Sequence, residues 1–418
     1  MLIDFRVKNF RSLRDEQVLR LVATKDKTLH ELNTMPSGIK AAPFLLRSAV
    51  IYGANASGKS NLIKALHYMR AVVAESASIM QPGELFNVKP FRLDAKSSTQ
   101  PTEFEVTFIL DGVRHQYGFA LTADRVTSEY LLVYKAFKPQ QWFDRRYDPE
   151  TGKDQYEFGT GLKGQKSTWE GATRPNALFL SMAAQLNSDQ LRPVYNSLVN
   201  RLVIINDYTL LSPQFSLDML RKPGGKQAIF NFLTAADISL ADIGIVTRRQ
   251  PGQSMRFDLA SGKTEVRNEE QEVSELLFHH VTGQGKAAFG LDDESMGTRN
   301  LLFLAGPVLD ILENGFTLVV DELDSSLHPL LVRRLVELFH NPTLNTKGAQ
   351  LIFSTHDTSL LDSDLFRRDQ IWFVEKNHDQ ASKLYPLSDF SPRKKEAWER
   401  GYLMGRYGAL PFFTDARE

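Results

Sequence analysis

The stretch Ile51–Ser60, which reads IYGANASGKS, matches the pattern G-x-x-x-x-G-K-[ST] at every fixed position. Apolar residues 49–51 precede it, and apolar residues spaced three to four positions apart follow it to about Glu75. Glycines let the backbone turn tightly and direct its N–H groups at phosphate, and the helix that follows adds its N-terminal dipole. The sequence therefore predicts a strand, a phosphate-binding loop and a helix, in preference to a glycine-rich turn that opens an ordinary helix.

Two side chains of this loop have defined chemistry in a nucleotide site. We expect Lys59 to hold the β- and γ-phosphates and the Ser60 hydroxyl to ligate Mg²⁺. The nucleotide-binding residues expected in and beside the loop are Gly53, Asn55, Ala56, Ser57, Gly58, Lys59, Ser60 and Asn61. The expected cofactors are therefore ATP and Mg²⁺.

The composition of the 418-residue chain limits which classes of protein it can belong to. It carries 50 basic and 50 acidic residues, so any nucleic-acid contact needs a local basic patch. It contains no cysteine, which excludes disulfides and thiolate metal sites and suits a reducing cytosol. The N-terminus alternates charged and apolar residues, unlike a signal peptide, and no run of 18 apolar residues is present. We expect a cytoplasmic protein without a membrane span.

The apolar pattern in the first half of the chain is that of strands. Residues 2–8 alternate, and residues 86–158 alternate in short runs separated by turn signals such as Asp111-Gly112. They predict an antiparallel sheet beside the phosphate loop. Residues 177–184 are a short apolar run, which we expect to be a buried strand that ends at Gln185.

The second half changes to an α/β pattern. Helices are expected over 186–201 and 214–235, and strands over 238–260. No heptad is sustained between residues 61 and 290, so a long coiled coil is not expected. Beyond Gly290 the chain alternates, with helices expected at 298–313 and 329–339 and strands at 317–320, 350–354 and 371–374.

A second acidic motif follows one of these strands. Residues 316–320 are apolar and end at Asp321-Glu322, so a buried strand is expected to deliver two carboxylates at its carboxyl end. Asp321 would complete the Mg²⁺ shell, and Glu322 would polarise the attacking water. The alternative is a pair of acids that only ends a strand, and the phosphate loop upstream argues against it.

Three weaker signals complete the order of motifs. Ser295-Met296-Gly297-Thr298 would open a helix and offer a second anion site, Asp324 follows the acidic pair, and His356 follows the strand at 350–354. A lone histidine at a strand end is more often structural, and a Ser-x-Gly turn alone indicates little. Their order along the chain is the informative feature.

That order resembles the ABC-type ATPase head shared by SMC, RecF and OLD proteins. The resemblance implies that Ser295, Gly297 and Thr298 form a signature loop that acts in trans on the ATP of a second subunit. Its Glu-Ser-Met-Gly-Thr differs from the Leu-Ser-Gly-Gly-Gln of transporters and is found in the non-transporter branch. The other implied site residues are Asp324 as the D-loop, His356 as the switch histidine, Gln185 as the Q-loop glutamine and Mg²⁺ ligand, and Asn9 and Arg11 as nucleotide contacts. Gln100, Gln140 and Gln155 remain alternatives for the Q-loop.

The resemblance also implies the architecture. It predicts an α/β protein whose ABC-ATPase head, a P-loop NTPase, carries an antiparallel β subdomain and a compact helical insertion. The expected segments are 1–185 for the first half of the head, 186–285 for the insertion, 286–390 for the second half and 391–418 for a tail that could dock a partner or equally pack as an ordinary C-terminus.

More narrowly, the chain is similar to stand-alone ATPases of the AbiLi/RloA type from bacterial anti-phage operons. The matching stretches include NFRS, GANASGKSN, DELDSSLHP, STHD and YLMGRYGALP. This likeness implies an ATP-dependent dimer that acts as sensor or scaffold for a separately encoded effector, a nuclease or toxin. The alternatives are a RecF-like DNA-repair ATPase that binds DNA directly, and a binding module with an inactive ATP site, against which the intact motifs argue.

Basic clusters are the candidates for direct contact with nucleic acid. The best is Arg145-Arg146 beside Trp142 and Phe143, which could offer a stacking surface. We favour instead a β-hairpin that covers its own core. The other clusters are Arg248-Arg249, Arg367-Arg368 and Arg393-Lys394-Lys395, and the pair His279-His280 is expected on a strand rather than at a metal.

Overall fold

The computed structural model describes residues 1–206, 212–236, 238–258, 263–325, 327–390, 392 and 397–410, with side chains outside 250–274. The chain forms two compact units. The first comprises Met1–Asp207, Ile311–Ser325 and Val332–Glu418, and the second comprises Tyr208–Asp310 and Ser326–Leu331. These borders differ from those of the four segments expected from the sequence.

The described strands and helices follow one another along the chain within these bounds. The strands are β1 (Leu2–Lys8), β2 (Gln17–Arg20), β3 (Thr34–Pro36), β4 (Phe44–Leu46), β5 (Ser48–Tyr52), β6 (Thr102–Leu110), β7 (Val113–Leu121), β8 (Val126–Tyr134), β9 (Gln140–Asp148), β10 (Lys153–Phe158), β11 (Leu202–Ile205), β12 (Asp242–Asp258), β13 (Lys263–Thr282), β14 (Gly285–Gly290), β15 (Thr317–Val320), β16 (Gln350–Ser354), β17 (Ile371–Lys376) and β18 (Ser382–Pro386). The helices are α1 (His30–Asn33), α2 (Lys59–Glu75), α3 (Ala95–Thr99), α4 (Lys166–Ala172), α5 (Phe179–Gln185), α6 (Leu191–Asn200), α7 (Gln214–Arg221), α8 (Gly225–Ala235), α9 (Met296–Asn314), α10 (Pro329–His340) and α11 (Trp398–Leu403).

A mainly parallel sheet carries the predicted nucleotide motifs. Its strand order is β11-β15-β16-β5-β17-β18, and only the β17–β18 pair is antiparallel. Every residue of β5, β15 and β16 is buried, which explains the run of three apolar residues that each strand contains. Because parallel strands end at the same edge, the loops after β5, β15 and β16 meet there. In open α/β sheets this carboxyl edge is where ligands bind.

A seven-stranded antiparallel sheet forms the β subdomain of the first unit. Its order is β10-β9-β8-β7-β6-β1-β2. The turn between β6 and β7 has positive φ at both central residues, 49° at Asp111 and 74° at Gly112. This backbone suits a two-residue hairpin, and the Asp-Gly pair predicted it. The predicted fold class, α/β with an antiparallel β subdomain, is confirmed.

One element of the first unit differs from its prediction. Residues 177–184 were expected to be a strand, but Phe179–Gln185 is the helix α5. The buried carboxylate of Glu129 accepts the N–H groups of Phe179 at 2.6 Å and Leu180 at 2.9 Å, which satisfies the first turn of the helix. A short apolar run that is buried on all sides has no periodicity to separate helix from strand, so sequence alone could not decide.

The second unit contains α7, α8, the strands β12–β14 and most of α9, up to Asp310. β12 and β13 pair from Asp242↔His279 to Asp258↔Lys263, and β14 adds to the base of this ribbon. His279 and His280 therefore lie on a strand followed by a glycine-containing hairpin, as predicted. The described segments contain no long coiled coil and no helix with the length and apolar character needed to cross a bilayer.

Candidate functional site

The phosphate loop is built so that two positions must be glycine. A Cβ on Gly53 would collide with the carbonyl oxygen of Val374, and one on Gly58 would collide with the Ser382 hydroxyl. The φ angle of Gly58 is 116°, a conformation that side chains rarely adopt. Gly58 precedes the first residue of α2, so the loop wraps closely around the positive end of this helix.

Lys59 lies inside the loop that it belongs to. Its Nζ donates to the carbonyl oxygen of Gly53 at 2.7 Å and to that of Ala54 at 3.2 Å. Burial lowers the pKa of Lys59, and the carboxylates of Asp321, Glu322 and Asp324 act against this shift. The loop after β5 and the loop after β15 are therefore within electrostatic reach of each other. Within the described residues Ser57 Oγ is buried without a hydrogen-bond partner, whereas Asn55 and Ala56 are exposed.

The two acids after β15 are held by a hydroxyl of the neighbouring strand. Ser354, the last residue of β16, donates its Oγ hydrogen to Asp321 Oδ1 at 2.6 Å and accepts the N–H of Glu322 at 2.7 Å. Ser354 is fully buried and Asp321 is 7% exposed, so water does not compete strongly for these bonds. Ser354 was not singled out in the sequence, although its position at the end of a buried strand, before Thr355 and His356, is a recognisable signal.

Glu322 has an unusual backbone conformation. Its φ angle is 52°, in the left-handed region that a non-glycine residue with a long side chain rarely occupies. Its side chain is exposed at the carboxyl edge of the sheet. Such strain is tolerated where the surrounding structure imposes it, and it is concentrated at functional sites. The catalytic role of Glu322 stays a prediction.

The loops that follow β15 and β16 contact each other directly. The N–H of His356 donates to Asp324 Oδ2 at 3.1 Å. The side chain of His356 is exposed, and Asp357 accepts the N–H of Ser359 to start a short 3-10 turn. The residues expected as D-loop and switch histidine are therefore neighbours in the first unit.

Asn9 of the N-terminal turn is bonded to residues 91–101 and not to the phosphate loop. Asn9 is 2% exposed, its Nδ2 donates to the carbonyl oxygens of Ser97, Gln100 and Pro101, and its Oδ1 accepts the N–H of Phe91. This geometry does not support direct contact of the Asn9 side chain with nucleotide, because its polar atoms are already used. The side chain of Arg11 is exposed, and Arg11 stays a predicted contact.

Two serines link the N-terminal turn and β18 to the phosphate loop. Ser382, at the start of β18, donates its hydroxyl hydrogen to the Ser57 carbonyl oxygen at 2.5 Å, and its Oγ lies 2.8 Å from Ser12 Oγ. Ser12 Oγ also accepts from Asn61 Nδ2 at 2.7 Å. The amide of Asn61 therefore faces this hydroxyl pair, and Ser60, on the first turn of α2, remains the predicted Mg²⁺ ligand.

Gln185 does not lie at the nucleotide loop, which corrects its assignment as Q-loop residue and metal ligand. Its amide pairs with the carbonyl oxygen of Ala77 at 3.1 Å and the N–H of Ser78 at 3.2 Å, in the orientation that satisfies both groups. Ala77 and Ser78 follow the carboxyl end of α2, whereas the phosphate loop precedes its amino end. At about 1.5 Å per residue, the helix separates these two ends by roughly 25 Å.

The predicted signature residues lie in the second unit. Ser295 Oγ accepts the N–H of Thr298 at 3.1 Å and so caps the start of α9, with Gly297 in the first turn. His280 pairs with Glu294 Oε1 at 2.9 Å, just before this cap. Among the described residues, no group of three or more His, Asp or Glu side chains is arranged to hold a metal ion. Ser295 is exposed at this helix start, and both anion binding by the turn and its action in trans stay predictions.

Three of the four residues in the strongest candidate for a nucleic-acid stacking surface are buried, and the fourth, Arg146, is exposed and paired with Asp144. Arg145 is 0% exposed and is bonded to Asp154 at 2.8 Å and to the Ala177 carbonyl oxygen at 2.7 Å. Trp142 and Phe143 are core residues. The hairpin therefore covers its own core, as we favoured. Arg367 is also buried, in an ion pair with Asp369, and Arg393-Lys394-Lys395 lie outside the described residues.

Comparison with solved structures finds SMC head domains. The head domain from Thermotoga maritima has 15% identity and a TM-score of 0.42, and the match covers 92% of this chain and 98% of that one. A Pyrococcus furiosus-derived Smc head with an extended coiled coil, bound to the C-terminal domain of ScpA, has 14% identity and a TM-score of 0.41, covering 92% and 96%. No curated protein matches the chain. The fold assignment rests on the strand order and loop geometry described above.

One family model matches residues 48–362, a range that includes the phosphate loop, the acidic pair and His356. It is described as an AAA domain, putative AbiEii toxin, of type IV toxin–antitoxin systems. The match covers most of the chain and agrees with the placement of the motifs at one sheet edge. The chain belongs to this family of AAA-domain ATPases.

Proposed function

We propose that this protein binds and hydrolyses ATP at the carboxyl edge of its parallel sheet. The observation that carries the proposal is that Lys59 lies buried inside the phosphate loop, at the same sheet edge as the loop of Asp321, Glu322 and Asp324. Lys59 would exchange its bonds to the Gly53 and Ala54 carbonyl oxygens for bonds to phosphate. The loop glycines and the start of α2 would supply backbone N–H groups to the same anion.

The donor set fits a magnesium ion. Ser60 offers a hydroxyl and Asp321 offers a carboxylate. The Asp321 carboxylate also accepts a hydrogen bond from Ser354 Oγ, and this bond fixes its orientation. Mg²⁺ would neutralise charge on the bound phosphates. Gln185 has no part in this site because it binds the far end of α2.

Glu322 and His356 are proposed to act on the water and the terminal phosphate. The exposed carboxylate of Glu322 is free to accept a proton from water, and its N–H bond to Ser354 holds its backbone in place. The imidazole of His356 is exposed, and the backbone N–H of the same residue is held by a hydrogen bond to Asp324. Both residues therefore combine a fixed main chain with a side chain available to substrate.

A second copy of the chain is proposed to complete each site. The Ser295 turn, with Gly297 and Thr298, is the capped and exposed start of a helix. The N–H groups at such a helix start can bind phosphate. In a two-fold dimer, the turn of each copy would meet the loop of the other, so ATP would be part of an isologous interface. ATP binding would favour the closed dimer and hydrolysis would release it.

The cellular role that we propose is that of a cytoplasmic sensor or scaffold in anti-phage defence, which controls a separately encoded nuclease or toxin. The family description as a putative toxin component supports a role in a defence operon. The test is to express the protein with each neighbouring gene and measure host growth. Growth arrest that needs both genes and changes with Lys59→Ala supports the role. If no pair of genes causes growth arrest that depends on this protein, the role is contradicted.

The biochemical test is phosphate release by the purified protein. We expect Mg²⁺-dependent ATP hydrolysis by the wild type. Lys59→Ala should lose nucleotide binding, and Glu322→Gln should retain binding while turnover falls by about 10²- to 10⁴-fold, the contribution typical of a general base. Glu150→Gln, at an exposed turn, is the control. Wild-type turnover by Glu322→Gln would remove Glu322 from catalysis.

DNA binding by the isolated protein is the alternative that remains to be tested. A repair ATPase would bind duplex DNA with affinity that falls steeply as salt rises, because phosphate contacts release counterions. The net charge of zero and the burial of Arg145 and Arg367 weigh against this outcome. Binding titrations at several salt concentrations distinguish the two roles.

A further inference from the structure

Tyr52 is a buried residue with a polar contact that the proposed chemistry does not use. It is the last residue of β5, immediately before Gly53 of the phosphate loop, and it is 1% exposed. Its hydroxyl donates to the carbonyl oxygen of Asp357 at 3.1 Å. Asp357 directly follows His356. We call residues 355–358, which follow β16 and contain His356, the switch loop. One side chain of the strand before the phosphate loop therefore reaches the main chain of the switch loop.

The hydroxyl of Tyr52 is suited to a permanent donor role. Burial raises the pKa of Tyr52 well above its ordinary value, and the nearby carboxylates of Asp357 and Asp324 raise it further. The ring is fixed as well, since its centroid lies 5.9 Å from that of Tyr402 and 6.3 Å from that of Phe373. The donor is therefore neutral, and the packing around it fixes its direction.

The switch loop has two further anchors. Asp324 accepts the N–H of His356, and the Thr358 hydroxyl donates to Glu399 of α11 at 2.9 Å. The Thr358 contact is exposed, so water competes with it, whereas the Tyr52 contact has a buried donor. Tyr52 and Asp324 thus hold the main chain on both sides of the His356 side chain.

Resting on the proposed hydrolysis of ATP, we propose that Tyr52 is a positioning residue for His356. Its hydroxyl ties the end of β5 to the residue after the histidine, so the phosphate loop and the switch histidine keep a fixed relation. Tyr52 does not contact the nucleotide. Loss of the hydroxyl would leave the phosphate loop intact and allow His356 to leave its productive position.

Tyr52→Phe removes the hydroxyl and leaves the ring. We expect kcat for ATP to fall by about 3- to 10-fold, the effect of one lost hydrogen bond on the reactive geometry, while the KM for ATP and the nucleotide affinity stay within about twofold. Tyr402→Phe is the matched control, because it removes a buried hydroxyl from the same aromatic cluster. That hydroxyl binds the Ala409 carbonyl oxygen and not the switch loop.

A double-mutant cycle separates positioning from general support of the fold. In the His356→Ala background, Tyr52→Phe should have no further effect on kcat, because the group that it positions is gone. Additive losses, or a parallel loss of ATP affinity in Tyr52→Phe, would overturn the inference. If the wild type fails to hydrolyse ATP, the proposed function fails. If the wild type hydrolyses ATP and Tyr52→Phe matches it, the positioning role alone fails.

Discussion

Ser354 Oγ lies 2.6 Å from Asp321 Oδ1 and also accepts the N–H of Glu322. One hydroxyl from β16 therefore orients the proposed metal ligand and the backbone of the proposed base. Ser354 follows Asp321 by 33 positions and Glu322 by 32, and it meets them because β15 and β16 are neighbours in a parallel sheet. The relationship makes the acidic pair sensitive to a residue outside its own motif.

Replacing Ser354 by alanine should weaken the metal site. We expect a loss of about 1–3 kcal/mol in the free energy of unfolding, because the buried Asp321 oxygen and the Glu322 N–H lose their partner. The Mg²⁺ concentration needed for half-maximal ATP hydrolysis should also rise. Ser181→Ala, which removes a buried hydroxyl bonded to the Val73 carbonyl oxygen, is the control and should change stability alone. An unchanged Mg²⁺ requirement in Ser354→Ala would contradict the orienting role.

Substitution of Gly58 should disable the phosphate loop. Gly58→Ala places a Cβ against the Ser382 hydroxyl and 3.0 Å from Ser12 Oγ, at a φ of 116°. We expect loss of ATP binding, measured by titration with a fluorescent nucleotide, and a lower melting temperature. Gly83→Ala separates the causes, because Gly83 also has positive φ but no atom within 4 Å of its would-be Cβ. If the collision dominates, adding Ser382→Gly to Gly58→Ala should restore part of the ATP binding. An equal fall in melting temperature in Gly58→Ala and Gly83→Ala would show that backbone strain alone causes the loss of stability.

Mixing two inactive variants should restore hydrolysis if the signature acts in trans. Lys59→Ala destroys the loop of one copy, and Ser295→Arg blocks the turn of the other. In the mixed dimer one composite site contains the intact loop and the intact turn, so about a quarter of the wild-type rate is expected for random pairing. Mixing Lys59→Ala with Glu322→Gln is the control, because both changes affect the same half of a site and no recovery follows. Absence of recovery in the first mixture would refute the shared site.

His340 should make stability depend on pH. It is 5% exposed, its Nε2 lies 2.8 Å from Ser48 Oγ, and burial, with a smaller contribution from Arg47, lowers its pKa from 6.5 to about 3. Between these values the unfolded chain binds a proton that the folded protein excludes, so stability falls as pH falls through 6.5. The difference between pH 7 and pH 5 is about 2 kcal/mol for one such group.

Denaturant unfolding at pH 7 and pH 5 checks this prediction. His340→Gln should show a smaller difference between the two pH values than the wild type, because the titrating group is removed. The exposed His378→Gln is the control and should keep the wild-type difference. An equal pH dependence in wild type and His340→Gln would mean that other groups account for it.

Local sequence decided the elements whose chemistry is contained in a few consecutive residues. The pattern of Gly53, Gly58 and Lys59 predicted the loop before α2, and Asp111-Gly112 predicted its hairpin because both positions need positive φ. The alternation of residues 2–8 and the apolar run before Asp321 predicted β1 and β15. In each case the backbone geometry of a turn or the burial of one strand restricts which amino acids can stand at a few consecutive positions.

Tertiary structure alone decided the features that depend on distant partners. Glu129 accepts the first N–H groups of α5, and that helix ends at Gln185, whose amide binds beyond the carboxyl end of α2, away from the proposed metal site. Asp154 pairs with the buried Arg145, so that arginine is withdrawn from the basic patch that the sequence suggested, while Arg146 stays exposed. The support of the loop by Ser382 and of the switch histidine by Tyr52 likewise joins residues far apart in the chain. A local pattern can specify a turn or a strand, but the partner that satisfies a buried polar group is known only once the chain has folded.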